Sequence, residues 1–249
     1  MKLSNYSGVK KITLDDFLAF DEEQAVKFDF LTQGEEADRT ELTNSIYHKL
    51  FPWFDEKFHA GDTLNTYRIA VKKYYGNYYR FLDREKQLEI IAIIKKYTPH
   101  NDDQILEFED TDSNGKLYYQ LCNNYQLGNF GILPIHGGIN PKRAQKPYND
   151  FFDEFLSILY GFYDGTLKLD NNLVKAIDYQ KDYFNQFNDI DDFVEQNFLW
   201  DFFTDIDDDS ATCESLSGSS SFEEYVSLVM KIVIRRGRTL YKVLHDNIN

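Results

Sequence analysis

The spacing of apolar and polar positions predicts two helices in the N-terminal part of the chain. The first follows Thr13, whose side chain can cap it, and the second begins at Thr40. The second should end near Pro52, because proline lacks the amide hydrogen that a helix interior needs. Apolar residues recur every three or four positions in both segments: Leu14, Phe17 and Leu18 in the first, and Leu42, Ile46 and Leu50 in the second.

The pattern changes after residue 66 to a period of two, which is typical of a β-strand. Tyr67, Ile69 and Val71 alternate with less apolar neighbours, and the following Gly76-Asn77 pair favours a tight turn. These features predict a β-hairpin in this part of the chain.

A third helix is predicted after Asp83, which is a suitable cap. Leu88, Ile91 and Ile94, with Ile90 beside them, form its expected buried face.

A second hairpin is predicted at Asn114-Gly115, although the residues before it fit the opening of a calcium loop. Asp110 and Asp112 stand where such a loop begins. A calcium loop of this type also needs a bidentate carboxylate at its twelfth position, and Leu121 stands there. The flanking residues favour strands, so the pattern favours a turn over a calcium site.

The C-terminal half, at about residues 149–246, is predicted to be mostly helical. Asn149 is the expected cap of its first helix, and Ser221 that of its last, with Glu224 completing a capping box. Their buried faces are expected at the apolar positions of helical spacing: Phe152, Phe155, Leu156 and Leu159 in the first, and Tyr225, Leu228, Val229, Ile232, Val233, Leu240 and Leu244 in the last.

The chain as a whole, residues 1–249, is therefore predicted to form a single α+β domain. We expect a small central antiparallel sheet at about residues 66–135, with a buried strand at 130–135, packed against the mostly helical C-terminal half.

The formal net charge of −15 is concentrated in one part of the chain. From Asp182 to Met230 there are 13 carboxylates and no Lys or Arg, so the rest of the chain carries only −2. Such a segment repels phosphate backbones, so direct nucleic-acid binding is not expected, and it attracts basic protein surfaces. The predicted partner-binding residues are Asp189, Asp191, Asp192, Glu195, Asp201, Asp205, Asp207, Asp208 and Asp209.

Composition argues against several classes of protein. No apolar run reaches the roughly 18 residues of a membrane span, and no apolar core of a secretory signal is seen. Two cysteines without a paired motif, Cys122 and Cys213, indicate a cytoplasmic protein with free thiols. The five histidines lack metal-binding spacing, and the nucleophile motif GxSxG does not occur. We therefore expect no metal, no cofactor and no catalytic residue.

A second set of polar residues gives an alternative interpretation, an enzyme or ligand-binding protein with a site for an anionic small molecule at the Asn140/Arg143 loop. Asp150 and Glu154 are four residues apart and share one helix face, as do Arg235 and Arg238. Arginine can hold a carboxylate or another anion with two hydrogen bonds. The same residues also fit a structural ion-pair network. The predicted ligand-binding set is Asn140, Arg143, Asp150, Glu154, Arg235 and Arg238, with Arg236 beside them.

The abundance of aromatic residues, 21 Phe, 18 Tyr and 2 Trp, suggests a platform on which bases stack. Such a platform needs a basic groove for the phosphates, and the aromatic C-terminal region is acidic. Core packing is therefore the favoured interpretation of these residues.

Four stretches resemble a known family in the same order along the chain: LGNFGILPIHGGINPKRA, YNDFFDEFLSILYGFY, DYFNQFNDIDDFVEQNFLWDFF and VIRRGRTLYKVL. Upstream, LTNSIYHKLFPW resembles a helix of that family that contains Tyr and His. Together they resemble the DUF6994-like family, a group of uncharacterised bacterial proteins, from roughly Phe28 to Leu244. The resemblance implies a shared fold and names no reaction. The family loop often reads Ile-Asn-x-x-Arg-Gly, whereas Arg143 is followed here by Ala144.

The favoured hypothesis from the sequence is a non-enzymatic interaction or regulatory protein. Its acidic segment would bind a basic protein surface, in the sharper form by mimicking nucleic acid on a nucleic-acid-binding protein during phage–host conflict.

Overall fold

The computed structural model describes residues 11–30, 37–99, 121, 124–135, 139, 151–166, 172–204, 212–213 and 215–247. The α-helices in these ranges are α1 Leu14–Leu18, α2 Glu22–Lys27, α3 Glu41–Leu50, α4 Arg68–Tyr75, α5 Arg84–Tyr97, α6 Phe152–Tyr163, α7 Asn172–Tyr179, α8 Lys181–Phe184, α9 Ile190–Gln196 and α10 Phe222–Asp246. The strands are β1 His59–Thr63, β2 Phe130–Pro134, β3 Phe203–Thr204 and β4 Thr212–Cys213. Short 3-10 helices lie at Ala37–Arg39, Tyr79–Phe81, Leu127–Asn129 and Trp200–Phe202. This confirms the predicted α+β class with a mostly helical C-terminal half.

The main sheet consists of β1 and β2, which pair antiparallel with His59 opposite Pro134 and Thr63 opposite Phe130. The strand β2 was predicted, whereas β1 precedes the expected range and its sequence, HAGDT, has little strand propensity. Close packing accounts for its position. A Cβ at Gly61 would lie 2.1 Å from the carbonyl oxygen of Asp38, so only glycine allows this approach. The second sheet, β3 with β4, is also antiparallel.

The hairpin predicted at Tyr67–Val71 and Gly76-Asn77 is wrong, because this segment forms α4. Ile69, Ala70 and Val71 are all buried, whereas a strand would turn its successive side chains to opposite faces. Gly76 ends the helix in the left-handed conformation, with φ of 74°. The turn signal was therefore real, but it marks the end of a helix.

The predicted caps of four helices are confirmed: Thr13, Thr40, Asp83 and Ser221 each accept a hydrogen bond from a backbone N–H of the first turn. These are local interactions that the flanking residues alone determine.

Other helix details differ from the prediction. The residue at the N-cap of α6 is Phe151, not Asn149. Glu224 accepts from the backbone N–H of Ser220 at 2.7 Å rather than closing a capping box with Ser221. Leu88 is 50% exposed, so the buried face of α5 is formed by Ile90, Ile91 and Ile94 alone. The predicted Asn114-Gly115 hairpin lies outside the described residues.

Among the described residues the core forms two clusters of buried apolar side chains, and α10 contributes to both. Its first half, including Tyr225 and Val229, packs in the larger cluster with α4, α5 and α6. Leu240 and Leu244 pack in the smaller cluster with α1, α3 and β2. The helix α10 therefore joins the N-terminal helices to the rest of the core. Among the helices in the described ranges, none is long and apolar enough to cross a membrane.

Candidate functional site

The described part of the acidic segment centres on α9 and its cap, where four of the predicted carboxylates lie together. We call Asp189, Asp191, Asp192 and Glu195 the acidic surface. Asp189 caps the helix by accepting from the backbone N–H of Asp192 at 2.8 Å. Asp191 and Glu195 are exposed and stand one turn apart, so two like charges share one helix face.

Hydrogen bonds keep Asp192 ionised. Its Oδ2 accepts from the backbone N–H of Asn188 at 2.8 Å, and its Oδ1 accepts from Nε2 of Gln196 at 2.6 Å. These bonds stabilise the carboxylate and hold the pKa of Asp192 below its ordinary value. Asp192 therefore contributes a fixed negative charge to the acidic surface.

An aromatic layer supports the acidic surface from below. Phe193 of α9 is buried and packs edge-on against Phe187, with ring centroids 5.0 Å apart. In α8, the hydroxyl of the buried Tyr183 donates to the carbonyl oxygen of Ile132 at 2.7 Å. The acidic surface is thus fixed to the core and to β2.

Two other carboxylates of the acidic segment are paired with cations from elsewhere in the chain. Asp201 lies 4.0 Å from Nε of Arg235, and its Oδ2 accepts from the hydroxyl of Thr239 at 2.9 Å. Glu223 pairs with Lys96 at 2.7 Å. We therefore leave Asp201 out of the acidic surface. Four further predicted partner-binding residues lie outside the described residues: Asp205, Asp207, Asp208 and Asp209.

The alternative ligand-binding set is described only in part, because Asn140, Arg143 and Asp150 lie outside the described residues. Glu154 is in the first turn of α6. Arg238 pairs with Glu22 at 3.4 Å, whereas its predicted companion Arg235 contacts Asp201. These two arginines therefore reach toward different elements, and the anionic-ligand site stays a prediction.

Arg236, between them, has a structural role that the sequence interpretation missed. It is fully buried, and its guanidinium donates to four backbone carbonyl oxygens. Two of these belong to Gly128 and Phe130, and two to Asn197 and Phe198. Burial lowers the pKa of Arg236 to about 9, against the opposing effect of Asp201 and Tyr47, so the side chain stays charged at neutral pH.

A signal for this role was present in the spacing of α10. Ile232, Arg236 and Leu240 follow one another at four-residue intervals, so Arg236 occupies a position on the buried face. The cavity next to Arg236 measures only about 10 Å³, which leaves no room for a ligand. Arg236 therefore has a structural role, because it joins α10 to the segments 128–130 and 197–198.

A second polar cluster joins α4, α6 and the loop before α10. Asp153 is buried, and its Oδ2 accepts from the backbone N–H and the hydroxyl of Ser217 at 2.9 and 2.8 Å. Lys73 donates to the carbonyl oxygen of Ser217. Burial raises the pKa of Asp153, while the hydrogen bonds from Ser217 act in the opposite direction. This cluster fixes the loop.

A cavity of about 200 Å³ lies between the starts of α1 and α3. Its polar groups already serve the helices: Thr13 and Thr40 are caps, and Ser45 donates to the carbonyl oxygen of Glu41. It offers no convergent set of reactive groups.

No group of three or more His, Cys, Asp or Glu side chains that could hold a metal occurs in the part of the chain that the structure describes. Cys213, in β4, is half-buried.

Comparison with known proteins gave no match, whether against family models, curated proteins or solved structures. The resemblance to the DUF6994-like family therefore stays a prediction.

Proposed function

We propose that the protein is a non-enzymatic interaction protein whose acidic surface binds a basic protein surface. One observation carries this proposal: Asp191 and Glu195 repel each other on the same exposed face of α9. Neither of them takes part in an ion pair within the described ranges. Like charges at this spacing cost a helix about 0.2–0.5 kcal/mol, which a cationic partner would offset.

The nature of the partner follows from the rigidity and sign of this surface. Asp189 and Asp192 are fixed by hydrogen bonds, and the aromatic layer below holds α9 in place. Carboxylates held in place offer negative charges to a basic groove, as the phosphates of a nucleic acid do. A nucleic-acid-binding protein is therefore the partner class that we propose.

A charge-reversal pair tests this role. Three proteins are immobilised and exposed to the same cell extract. They are the wild type, an Asp191→Lys/Glu195→Lys variant and an Asp164→Lys/Asp246→Lys variant. The last variant is the matched control, because Asp164 and Asp246 are exposed carboxylates at helix C-termini and the change in net charge is identical. Bound proteins are eluted with salt, purified and assayed for binding with and without double-stranded DNA as a competitor.

We expect a basic protein to bind the wild type and the control, to be released by salt, and to be displaced by DNA. The α9 variant should bind it at least about tenfold more weakly, since each close charge pair across an interface contributes more than about 1 kcal/mol. Binding that is indifferent to salt, or an equal loss in the control, would contradict the proposal.

A further inference from the structure

A second charged region, of opposite sign, lies in α4, α5 and the 3-10 helix between them. From Arg68 to Tyr97 the chain has eight Lys and Arg against three carboxylates, a local net charge of +5 in a protein of −15. We call its central part the basic-aromatic surface, which comprises Lys72, Tyr78, Arg80, Phe81 and Arg84.

Two aromatic rings of this surface are exposed, so core packing does not explain them. Phe81 is 60% exposed and Tyr78 is 42% exposed. The backbone N–H of Phe81 donates to the carbonyl oxygen of Tyr78 at 2.9 Å, which closes one turn of the 3-10 helix. Tyr78 is the extended residue that precedes this 3-10 helix, so the turn holds the two exposed rings close together along the chain.

Each ring has a cation beside it. Nζ of Lys72 lies 4.7 Å from the centroid of the Tyr78 ring and donates to its hydroxyl at 3.3 Å. Cζ of Arg80 lies 4.5 Å from the centroid of the Phe81 ring. Arg84, three residues after Phe81, is exposed. Positive charge thus lies beside both exposed rings.

We propose that the basic-aromatic surface binds single-stranded nucleic acid. Two bases would stack on Phe81 and Tyr78, and the phosphates beside them would contact Lys72, Arg80 and Arg84. Stacking rings next to cations are the recurring means of binding single strands without sequence preference. A duplex keeps the faces of its bases stacked inside and cannot offer them to these rings.

Single-stranded nucleic acid explains more of this surface than other anionic partners do. An acidic peptide or an anionic membrane would use the cations, but neither offers planar groups that stack face to face on the two rings. The acidic surface on α9 is a separate region, so this inference does not depend on the proposed function.

The test uses the full chain and a fluorescein-labelled 12-nucleotide oligothymidine, with binding measured by fluorescence anisotropy at 50 and 200 mM KCl. The variants are Phe81→Ala, Phe81→Leu, Tyr78→Ala, Arg80→Ala and Arg84→Ala. Tyr160→Ala is the matched control, because Tyr160 is 59% exposed and lies outside the basic region. Thermal unfolding of each variant shows that it is folded.

We expect Phe81→Ala and Tyr78→Ala each to weaken binding about tenfold, within the range for the loss of one stacked base. Phe81→Leu should weaken it similarly, because an aliphatic side chain cannot replace the ring. Arg80→Ala and Arg84→Ala should each lower the slope of log affinity against log salt by about 0.7. Tyr160→Ala should not weaken binding.

The proposal would be overturned by any of four results. These are no binding at 50 mM KCl, an equal loss in Tyr160→Ala, unchanged affinity in both ring variants, or competition by polyglutamate or by phosphatidylserine vesicles that matches competition by unlabelled oligothymidine. The last result would identify an acidic peptide or a membrane surface as the partner instead.

Discussion

The guanidinium of Arg236 donates to the carbonyl oxygen of Phe130 at 2.5 Å, so the longest helix is bonded directly to the first residue of β2. The same side chain also bonds to Gly128, Asn197 and Phe198. Three parts of the chain that are far apart in sequence therefore meet at one buried cation, and the stability of the fold should depend on it.

Replacing Arg236 with Met should lower the free energy of unfolding by at least about 3 kcal/mol. The substitution leaves four carbonyl oxygens without their donor, and each buried unsatisfied group costs about 1–3 kcal/mol. Urea denaturation measures the loss. Arg238→Met is the control, because Arg238 is 58% exposed and its pair with Glu22 is a surface ion pair worth less than about 1 kcal/mol. Equal losses in the two variants would contradict the structural role of Arg236.

Gly128→Ala should be much more destabilising than Gly76→Ala, for a different physical reason. A Cβ at Gly128 would lie 1.8 Å from the carbonyl oxygen of Val233, so α10 would have to move away. We expect a cost of about 3 kcal/mol. Gly76 has open space around it and a positive φ, so alanine there costs only about 1–2 kcal/mol of backbone strain. Urea unfolding midpoints of the two variants give the comparison, and the reverse order would refute this view of Gly128.

The buried carboxyl of Asp153 should make stability depend on pH. Burial raises its pKa above the ordinary value of 3.8. Its stabilising contribution is therefore complete below that value and is lost as the pH rises through the raised pKa of the folded state. Relative to the wild type, Asp153→Asn should gain stability as the pH is raised from about 4 to 7.

The measurement for Asp153 is the difference in unfolding free energy between variant and wild type at several pH values. Asp164→Asn, at an exposed position, is the control and is measured in the same way. If the stability of Asp153→Asn relative to the wild type falls as the pH is raised, the hydrogen bonds from Ser217 outweigh burial.

Tyr183→Phe should cost about 1 kcal/mol, because the carbonyl oxygen of Ile132 loses the hydroxyl that bonds to it. Tyr179→Phe, four residues earlier and 76% exposed, should change stability little. Thermal unfolding followed by circular dichroism would compare them. If both variants had the same melting temperature as the wild type, the hydrogen bond between α8 and β2 would contribute nothing to stability.

The features that sequence predicted well are those fixed by neighbouring residues. Thr40, Asp83 and Ser221 cap their helices because a hydroxyl or carboxylate at that position needs only the next three residues to do so. The apolar strand β2 was also predicted. The acidic charge of α9 and the aromatic residues beneath it follow likewise from local order in the chain.

The features that sequence missed depend on contacts between distant parts of the chain. The strand β1 has little strand propensity and forms because β2 and the tight packing at Gly61 hold it. The short alternation at Tyr67–Val71 fits a strand and a helix face equally, and burial of Ala70 on α4 decided between them. The pairing of Asp201 with Arg235 could not be predicted, because it depends on how α10 lies against the 3-10 helix at Trp200–Phe202.

The bonding of Arg236 also bears on the order in which the protein folds. The guanidinium of Arg236 can be desolvated only after the segments 128–130 and 197–198 are both in place. Either segment alone accepts only two of its four hydrogen bonds. The second half of α10 should therefore lock late, after the transition state. Interactions that form after the transition state affect the unfolding rate rather than the folding rate. Arg236 should therefore chiefly slow unfolding.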